Sequence, residues 1–258
     1  MTEAIVHTWF MVGRQTRNLL RQPIWIALLL IQPMIWLLLY GQLFKRVVEL
    51  PGFGATSYVT FLAPGIVIMN AFFSAMWSGM SMIEDLDRDV IERFLATPVS
   101  RIALVLSQVV RSAITAVIQA LVILVVALGL GVRVAAGAPG WLAVLGAAAL
   151  VAAVFAGISH GIALIVRREE SMIGIANFVG LPLLFLSSVL LARNLIPGWM
   201  RWGARFNPVD WGVRAAREAV LPGTSWATIG VYLALLLGLA AVTASFATWS
   251  FRAYQRTL

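Results

Sequence analysis

Residues 134–166 read VAAGAPGWLAVLGAAALVAAVFAGISHGIALIV and contain no Asp, Glu, Lys or Arg. A helix needs about 20 apolar residues to cross a hydrocarbon core about 30 Å thick, so this stretch is long enough to span a membrane. The whole chain has the same character: its 258 residues are 61% hydrophobic and 12% charged, with a mean hydropathy of +0.92. Soluble proteins are about 45–50% apolar and about 25% charged. The sequence therefore excludes a water-soluble globule and predicts an all-α polytopic membrane protein.

Six uncharged windows of this kind occur along the chain. Glycine, proline and serine residues trim the longest of them to plausible helix lengths. We predict six transmembrane helices in a domain covering residues 24–258, at about residues 24–44, 59–82, 112–132, 141–166, 171–192 and 226–249. Arg111 would then lie at the inner boundary of the third span.

Residues 1–23 have a different pattern, in which Trp9 and Phe10 are followed by Arg14, Arg17 and Arg21 before Pro23. This pattern predicts an amphipathic helix in the headgroup plane, separated from the first span by the proline. A disordered tail is the alternative.

The arginines indicate the orientation. With both termini inside, eleven Lys and Arg residues lie on inner segments and eight on outer ones, and five of those eight lie in one outer segment, 193–217. Positive residues favour the cytoplasmic side, which predicts cytoplasmic termini. The net charge of +8 is therefore attributed to span flanks, and we expect no nucleic-acid partner.

Several kinds of site are missing from the sequence. None of the eleven acidic residues falls in a predicted span, where gradient-driven carriers usually place carboxylates. There is no cysteine, and the sole lysine, Lys45, does not follow the glycines of a phosphate-binding loop. We therefore expect no catalytic residue, no metal site and no bound cofactor in this chain, and energy supplied by a partner.

A few polar and aromatic residues lie inside the predicted spans. Gln32, Asn70 and Gln119 are expected to bond between helices, with substrate contact as the alternative. Asn70, Phe73 and Trp77 are candidates for lining a pathway, although aromatics also pack or face lipid. His160, between Gly157 and Gly161, fits a neutral group bonded at a close helix contact; a proton relay is the alternative.

The most concentrated charge lies in residues 84–101, which read EDLDRDVIERFLATPVSR. Glu84 and Arg88 form an i,i+4 pair, as do Asp89 and Arg93, and apolar residues are interleaved with them. The pattern predicts a short amphipathic helix ended by Pro98. Such a helix could transmit motion from a docked partner to two spans, or it could be a solvated loop helix.

This segment resembles the cytoplasmic signature of the type-2 permeases of ATP-binding-cassette (ABC) exporters, the family of the daunorubicin-resistance and nodulation exporters. Two further stretches resemble the same family: YVTFLAPG at residues 58–65 and the outer segment that ends at Arg217. The residues that match are Glu92, Arg93, Leu95, Pro98, Val99, Ser100 and Arg101 in the first stretch, and Pro197, Trp199, Asn207, Pro208, Trp211 and Arg217 in the outer one.

The resemblance implies the type-2 ABC exporter permease fold, with an elbow helix and six spans. It implies a cytoplasmic coupling segment, 83–111, whose ATPase contacts are Glu84, Asp85, Asp87, Arg88, Asp89, Glu92, Arg93 and Arg101. It implies an outer re-entrant segment, 193–225, with an outer gate formed by the matching residues named above. There, Arg193, Arg201, Arg205, Arg214 and Arg217 would meet lipid headgroups or an anionic substrate.

The expected partners are two ABC ATPase subunits, which would bind ATP and Mg, a second permease chain and membrane lipids. The expected function is that of a permease subunit in the bacterial cytoplasmic (inner) membrane, exporting an amphipathic drug, lipid or glycoconjugate. The chain would not itself be an enzyme. A non-transporting membrane scaffold or sensor and a gradient-driven carrier are the alternatives.

Overall fold

The computed structural model describes residues 31–49, 55, 57–88 and 101–255. This part of the chain is built from helices joined by turns and short irregular segments, and it contains no β-strand. The elbow prediction, at 1–23, lies outside the described residues, as do the first residues of the first predicted span. The all-helical fold class is confirmed.

The first described helix, α1, covers residues 31–43 and includes a π-helical turn at Trp36–Tyr40. A 3₁₀ turn at Lys45–Glu49 follows it. The remaining helices, in chain order, are α2 (Tyr58–Trp77), α3 (Gly79–Asp87), α4 (Arg101–Gly129), α5 (Gly137–Val166), α6 (Glu169–Phe185), α7 (Gly198–Ala204), α8 (Pro208–Val220) and α9 (Trp226–Gln255).

Within the described residues, four helical stretches are long and apolar enough to cross a membrane: Tyr58–Asp87, Leu104–Gly129, Gly137–Val166 and Trp226–Tyr254. The shortest has 26 residues and is therefore about 39 Å long at 1.5 Å per residue. Helix α6 has 17 residues and ends at Phe185, before the predicted end of the fifth span at 192. Helix α4 begins at Arg101, about three turns before the predicted start of the third span. The count of six spans stays a prediction.

Local sequence signals explain several helix ends. Ser57 caps α2, since its Oγ accepts a hydrogen bond from the Thr60 N–H at 3.1 Å. Asn207 caps α8 by accepting from the Val209 N–H at 3.0 Å, with Pro208 in the first turn, where no backbone donor is needed. Arg167 ends α5 with a left-handed backbone, at φ 55°.

Helix α5 forms the centre of the bundle and packs against α2, α4, α8 and α9. Small side chains let its neighbours approach closely: a Cβ added at Gly157 would lie 2.7 Å from Thr243 Oγ1, and one added at Gly161 would overlap the Phe246 ring. The close contact predicted around Gly157 and Gly161 is thus confirmed, and its partner is α9.

Helix α8 lies inside the bundle although it belongs to the predicted outer segment. Val209, Asp210 and Val213 are fully buried there. A Cβ at Gly212 would lie 3.1 Å from Ile68 Cγ2, and its distance to Val151 Cγ2 would be shorter than van der Waals contact permits. The absence of a side chain at Gly212 therefore lets α8 approach α2 and α5. Residues that follow the fifth predicted span are thereby placed deep in the fold.

Candidate transport cavity and outer groove

A polar cavity lies between α1, α2, α4 and α6, with a volume of about 630 Å³. Two of its polar groups bond to each other across α2 and α4, where Asn70 Nδ2 donates to Gln119 Oε1 at 3.0 Å. This confirms the interhelical role predicted for these two residues. Most of the described lining residues have a polar side-chain group: Gln32, Asn70, Ser74, Ser78, Ser81, Arg111, Ser112, Thr115, Gln119 and Asn177.

The three candidate pathway residues come together in this cavity. Asn70, Phe73 and Trp77 all line it, together with Leu181 of α6. Trp77 is 38% exposed, so part of its ring is available to a ligand. The lining thus combines two aromatic rings with hydroxyl and amide groups, which suits an amphipathic molecule.

Arg111 lies within α4 rather than at its start. The helix begins at Arg101, and its uncharged stretch begins at Ser112, directly after Arg111. The guanidinium lines the cavity and donates to Ser81 Oγ at 2.8 Å. The expected position of Arg111 at the inner boundary of the third span stays a prediction.

The junction between α2 and α3 is held by α5. Ser159 Oγ donates to the Met76 carbonyl at 2.6 Å and accepts from the Gly79 N–H at 3.0 Å. Next to it, His160 is fully buried, with its Nε2 3.4 Å from Ser78 Oγ. These contacts satisfy backbone groups freed by the interruption of the helix, as a membrane interior requires. The predicted interhelical contact of His160 is confirmed.

Three charged residues of the coupling segment, Glu84, Asp87 and Arg88, are exposed. The Glu84–Arg88 pair predicted from the spacing is present, with Arg88 Nη2 3.9 Å from Glu84 Oε2 and both side chains more than half exposed. Asp85 and Asp87 lie on the same short helix, α3, and Gln108 Nε2 of α4 approaches Asp85 Oδ2 at 3.4 Å. Asp89, Glu92 and Arg93 lie outside the described residues, and Arg101 is the first residue of α4.

The outer residues that match the family mainly shape the backbone. Pro197 precedes the first turn of α7, and Asn207 with Pro208 starts α8. Asn207 Nδ2 also donates to the Leu183 carbonyl at 2.6 Å, and Trp211 Nε1 donates to the Arg205 carbonyl at 2.7 Å. Trp199 differs from them, since its side chain is 69% exposed.

Four of the five outer arginines line an open groove of about 960 Å³ beside α7, α8 and α9: Arg193, Arg201, Arg205 and Arg214. Trp202, Trp211, Tyr232, Val231 and Leu235 supply its aromatic and apolar surface. The Arg214 guanidinium carbon lies 4.4 Å from the centre of the Tyr232 ring. Within the described ranges, none of the four forms an ion pair with a carboxylate. We call this surface the outer groove.

Arg217, the fifth outer arginine, faces the protein interior instead. Its guanidinium carbon lies 3.6 Å from the centre of the Phe61 ring, and its Nη2 donates to the Val189 carbonyl at 3.1 Å. Its Nη1 lies 3.5 Å from Ser188 Oγ. The expectation that Arg217 meets headgroups or substrate with the others is therefore corrected, because its position on α8 directs it towards α2.

The same cluster contains a carboxylate that the sequence analysis missed. Asp210 is fully buried and accepts hydrogen bonds from the backbone N–H of Ser188, at 2.9 Å, and from its hydroxyl. Ser188 thus connects Asp210 with Arg217. The sequence contained a signal for this pair, since Asp210 and Arg217 are seven positions apart. They therefore share one face of α8 after about two turns.

Comparison with known proteins identifies the family. Residues 6–221 match the family model described as "ABC-2 type transporter". The chain is 26% identical over 237 residues to the daunorubicin resistance ABC transporter permease protein DrrB1 of Streptomyces coeruleorubidus, covering 90% of this chain and 80% of that protein. It is 25% identical over 217 residues to the putative transport permease ycf38 of Cyanophora paradoxa (83% and 73%), and 26% over 220 residues to that of Porphyra purpurea (84% and 74%). The chain belongs to the ABC-2 type transporter family, whose members are permease subunits of ABC transporters.

Proposed function

We propose that this chain is the transmembrane permease subunit of an ATP-driven exporter, and that it moves an amphipathic drug, lipid or glycoconjugate out of the cytoplasm or the inner leaflet. Family membership and the similarity to a permease named for daunorubicin resistance support the transporter class. The energy source, direction and substrate class belong to the proposal.

The observation that carries the proposal is the cavity of about 630 Å³ between α1, α2, α4 and α6. Its residues extend along α4 from Arg111 to Gln119, which corresponds to about 12 Å of helix axis. Phe73 and Trp77 offer contact to an apolar body, while the hydroxyl and amide groups offer hydrogen bonds to a polar head. A molecule with both parts can satisfy this wall without leaving buried polar groups unpaired.

A partner would supply the energy. The chain has one lysine and no phosphate-binding loop, so ATP and Mg would bind two ABC ATPase subunits below a pair of permease chains. The exposed charges of α3 are suited to docking, and α3 directly continues α2, which lines the cavity. Motion of a docked ATPase would therefore tilt a cavity wall. In this arrangement the protein lies in the cytoplasmic (inner) membrane with both termini in the cytoplasm.

The test is reconstitution of the chain with its ABC ATPase in liposomes. We expect ATP hydrolysis that is stimulated by amphipathic probes, such as daunorubicin or a fluorescent phospholipid, and transport that stops without ATP. Transport sustained by an ion gradient alone would identify a carrier. ATPase recruitment without movement of any probe would favour a scaffold.

The coupling segment provides a sharper variant. The double change Glu92→Ala with Arg93→Ala should lower ATPase binding and transport together, by about tenfold, because both residues would contact the ATPase groove. Arg133→Ala is the matched control, since Arg133 is an exposed arginine in the turn between α4 and α5. Unchanged binding and transport in the double variant would show that the coupling contacts lie elsewhere.

A further inference from the structure

The cavity contains a partly buried cation. Arg111 lines it directly before the uncharged stretch of α4 that begins at Ser112, and no other charged side chain is among the described residues that line the cavity. Burying a charge is costly unless it is paired and hydrogen-bonded. The placement of Arg111 therefore favours an anionic ligand or partner group in the cavity.

The protein groups around Arg111 leave part of its hydrogen-bonding capacity facing the cavity. A guanidinium carries five N–H donors, and the described contact of Arg111 is a single bond to Ser81 Oγ. Asp85 is the acidic group that offsets some of the charge. Asp85 lies towards the exposed end of α3, where Gln108 approaches it, and it is not a lining residue. A ligand in the cavity thus meets the cation and not the carboxylate.

The rest of the wall fits a head group that accepts hydrogen bonds. The hydroxyl groups of Ser78, Ser81 and Thr115 donate to backbone carbonyls, so the donors available to such a head group come from Arg111 and from the neighbouring Ser112. Phosphate and carboxylate oxygens accept two parallel bonds from a guanidinium, a geometry that a quaternary ammonium cannot use. Phe73 and Trp77 would contact the apolar body of the same molecule.

The outer groove has the same sign of charge. Its four arginines are not ion-paired within the part of the chain that the structure describes. A molecule that leaves Arg111 would thus find a second cationic surface, which also carries Trp202 and Leu235 for apolar contact. Two separate cavities with cationic linings favour the same ligand chemistry.

We infer that the cavity binds amphipathic molecules with an anionic head group, such as a phosphate monoester or a carboxylate, and that Arg111 recognises this head group. The inference names the class of substrate that the cavity of the proposed exporter binds. Only the transport of such molecules rests on the proposed function. Binding to the chain alone tests it without ATP or an ATPase, so its failure is distinguishable from failure of the exporter proposal.

The experiment uses the full chain in nanodiscs of phosphatidylcholine, with tryptophan fluorescence as the readout because Trp77 lines the cavity. The probes are dodecyl phosphate and dodecyltrimethylammonium, which share a chain length and differ in charge. We expect dodecyl phosphate to bind at least about tenfold more tightly. Arg111→Gln should remove this preference, while Arg111→Lys should retain part of it, since a lysine keeps the charge but loses the bidentate geometry.

Arg133→Gln is the control, because it removes the same charge from an exposed position outside both cavities. Equal affinity for the two probes, or a preference that persists in Arg111→Gln, would overturn the inference. If Arg111→Gln is not folded, Arg111→Lys replaces it, and a preference in Arg111→Lys as strong as in the unaltered chain would overturn the inference. Adding phosphatidylglycerol to the discs tests whether the anionic head group belongs to a bilayer lipid or to another molecule. If a bilayer lipid fills the site, dodecyl phosphate binding weakens more in the unaltered chain than in Arg111→Lys.

Discussion

Asp210 and Arg217 illustrate how single residues on α8 acquire different surroundings from their neighbours. Arg214, three positions before Arg217, points into the outer groove and stacks on Tyr232, whereas Arg217 stacks on Phe61 in the interior. Three residues turn a helix by about 300°, so the two positions are only about 60° apart, and the packing of α2 and α9 against α8 gives the two long side chains different surroundings. Similar residue types therefore have different roles within a single turn.

The buried carboxylate predicts a stability effect. Asp210→Ala removes the oxygen that accepts two hydrogen bonds from Ser188 and leaves the buried Ser188 N–H without a partner, so we expect a loss of about 2–3 kcal/mol of unfolding free energy. Asp210→Asn keeps an acceptor oxygen and should lose less. Thermal unfolding in detergent measures both, and Asp210→Ala with the same midpoint as the unaltered chain would contradict the assignment.

A double-mutant cycle tests whether Arg217 belongs to the same cluster. The double variant Asp210→Ala with Arg217→Met should lose less unfolding free energy than the two single variants together. The reason is that it no longer contains an arginine that lacks its opposite charge beside Ser188. Arg133→Met, at an exposed position, should be additive with Asp210→Ala. Additivity in both combinations would indicate that the two side chains do not interact.

At the scale of elements, the contact between α5 and α9 depends on the absence of side chains. Gly157→Ala should destabilise the protein by about 1–3 kcal/mol, since the new Cβ would lie 2.7 Å from Thr243 Oγ1 and 2.8 Å from the Thr243 carbonyl carbon. The backbone atom cannot rotate away, so the helices must separate. Thermal unfolding of the purified chain measures the change.

Gly146 offers a matched control on the same helix. A Cβ there meets nothing within 4 Å, so Gly146→Ala should be neutral or should stabilise by up to about 1 kcal/mol, because alanine has the higher helix propensity. Equal destabilisation by the two alanines would mean that helix propensity or bilayer contacts, rather than the contact with α9, determine the response.

At the scale of the whole molecule, the outer groove is expected to hold anionic headgroups. The pair Arg201→Gln with Arg205→Gln should reduce retention of phosphatidylglycerol by the purified protein at least about threefold, while phosphatidylcholine retention stays unchanged. Lipid mass spectrometry of the purified protein gives this ratio. Arg133→Gln with Arg252→Gln makes the same change in net charge at exposed positions outside the groove. If this control pair lowers phosphatidylglycerol retention equally, the net charge of the protein, rather than the outer groove, determines how much of this lipid is retained.

Much of the helical architecture could be predicted from the sequence. The long uncharged stretches predicted the helices Gly137–Val166 and Trp226–Gln255, because a bilayer requires apolar residues and internal backbone hydrogen bonds whatever the neighbours are. The spacing of Glu84 and Arg88 predicted an ion pair within one helix, which depends only on helical geometry. The contact of Arg111 with Ser81 could not be predicted, because the two residues lie on different helices and are 30 positions apart in the chain.

The sequence by itself determined that this chain is helical, that it lies in lipid and which permease family it resembles, because these properties depend on composition, periodicity and local motifs. Only the tertiary structure decided that Asn70, Phe73 and Trp77 share a cavity with Arg111, and that Arg217 turns inward to Ser188 while its neighbours line the outer groove. These placements depend on the packing of helices far apart in the chain. One helical face looks the same in sequence whether lipid, water or another helix covers it.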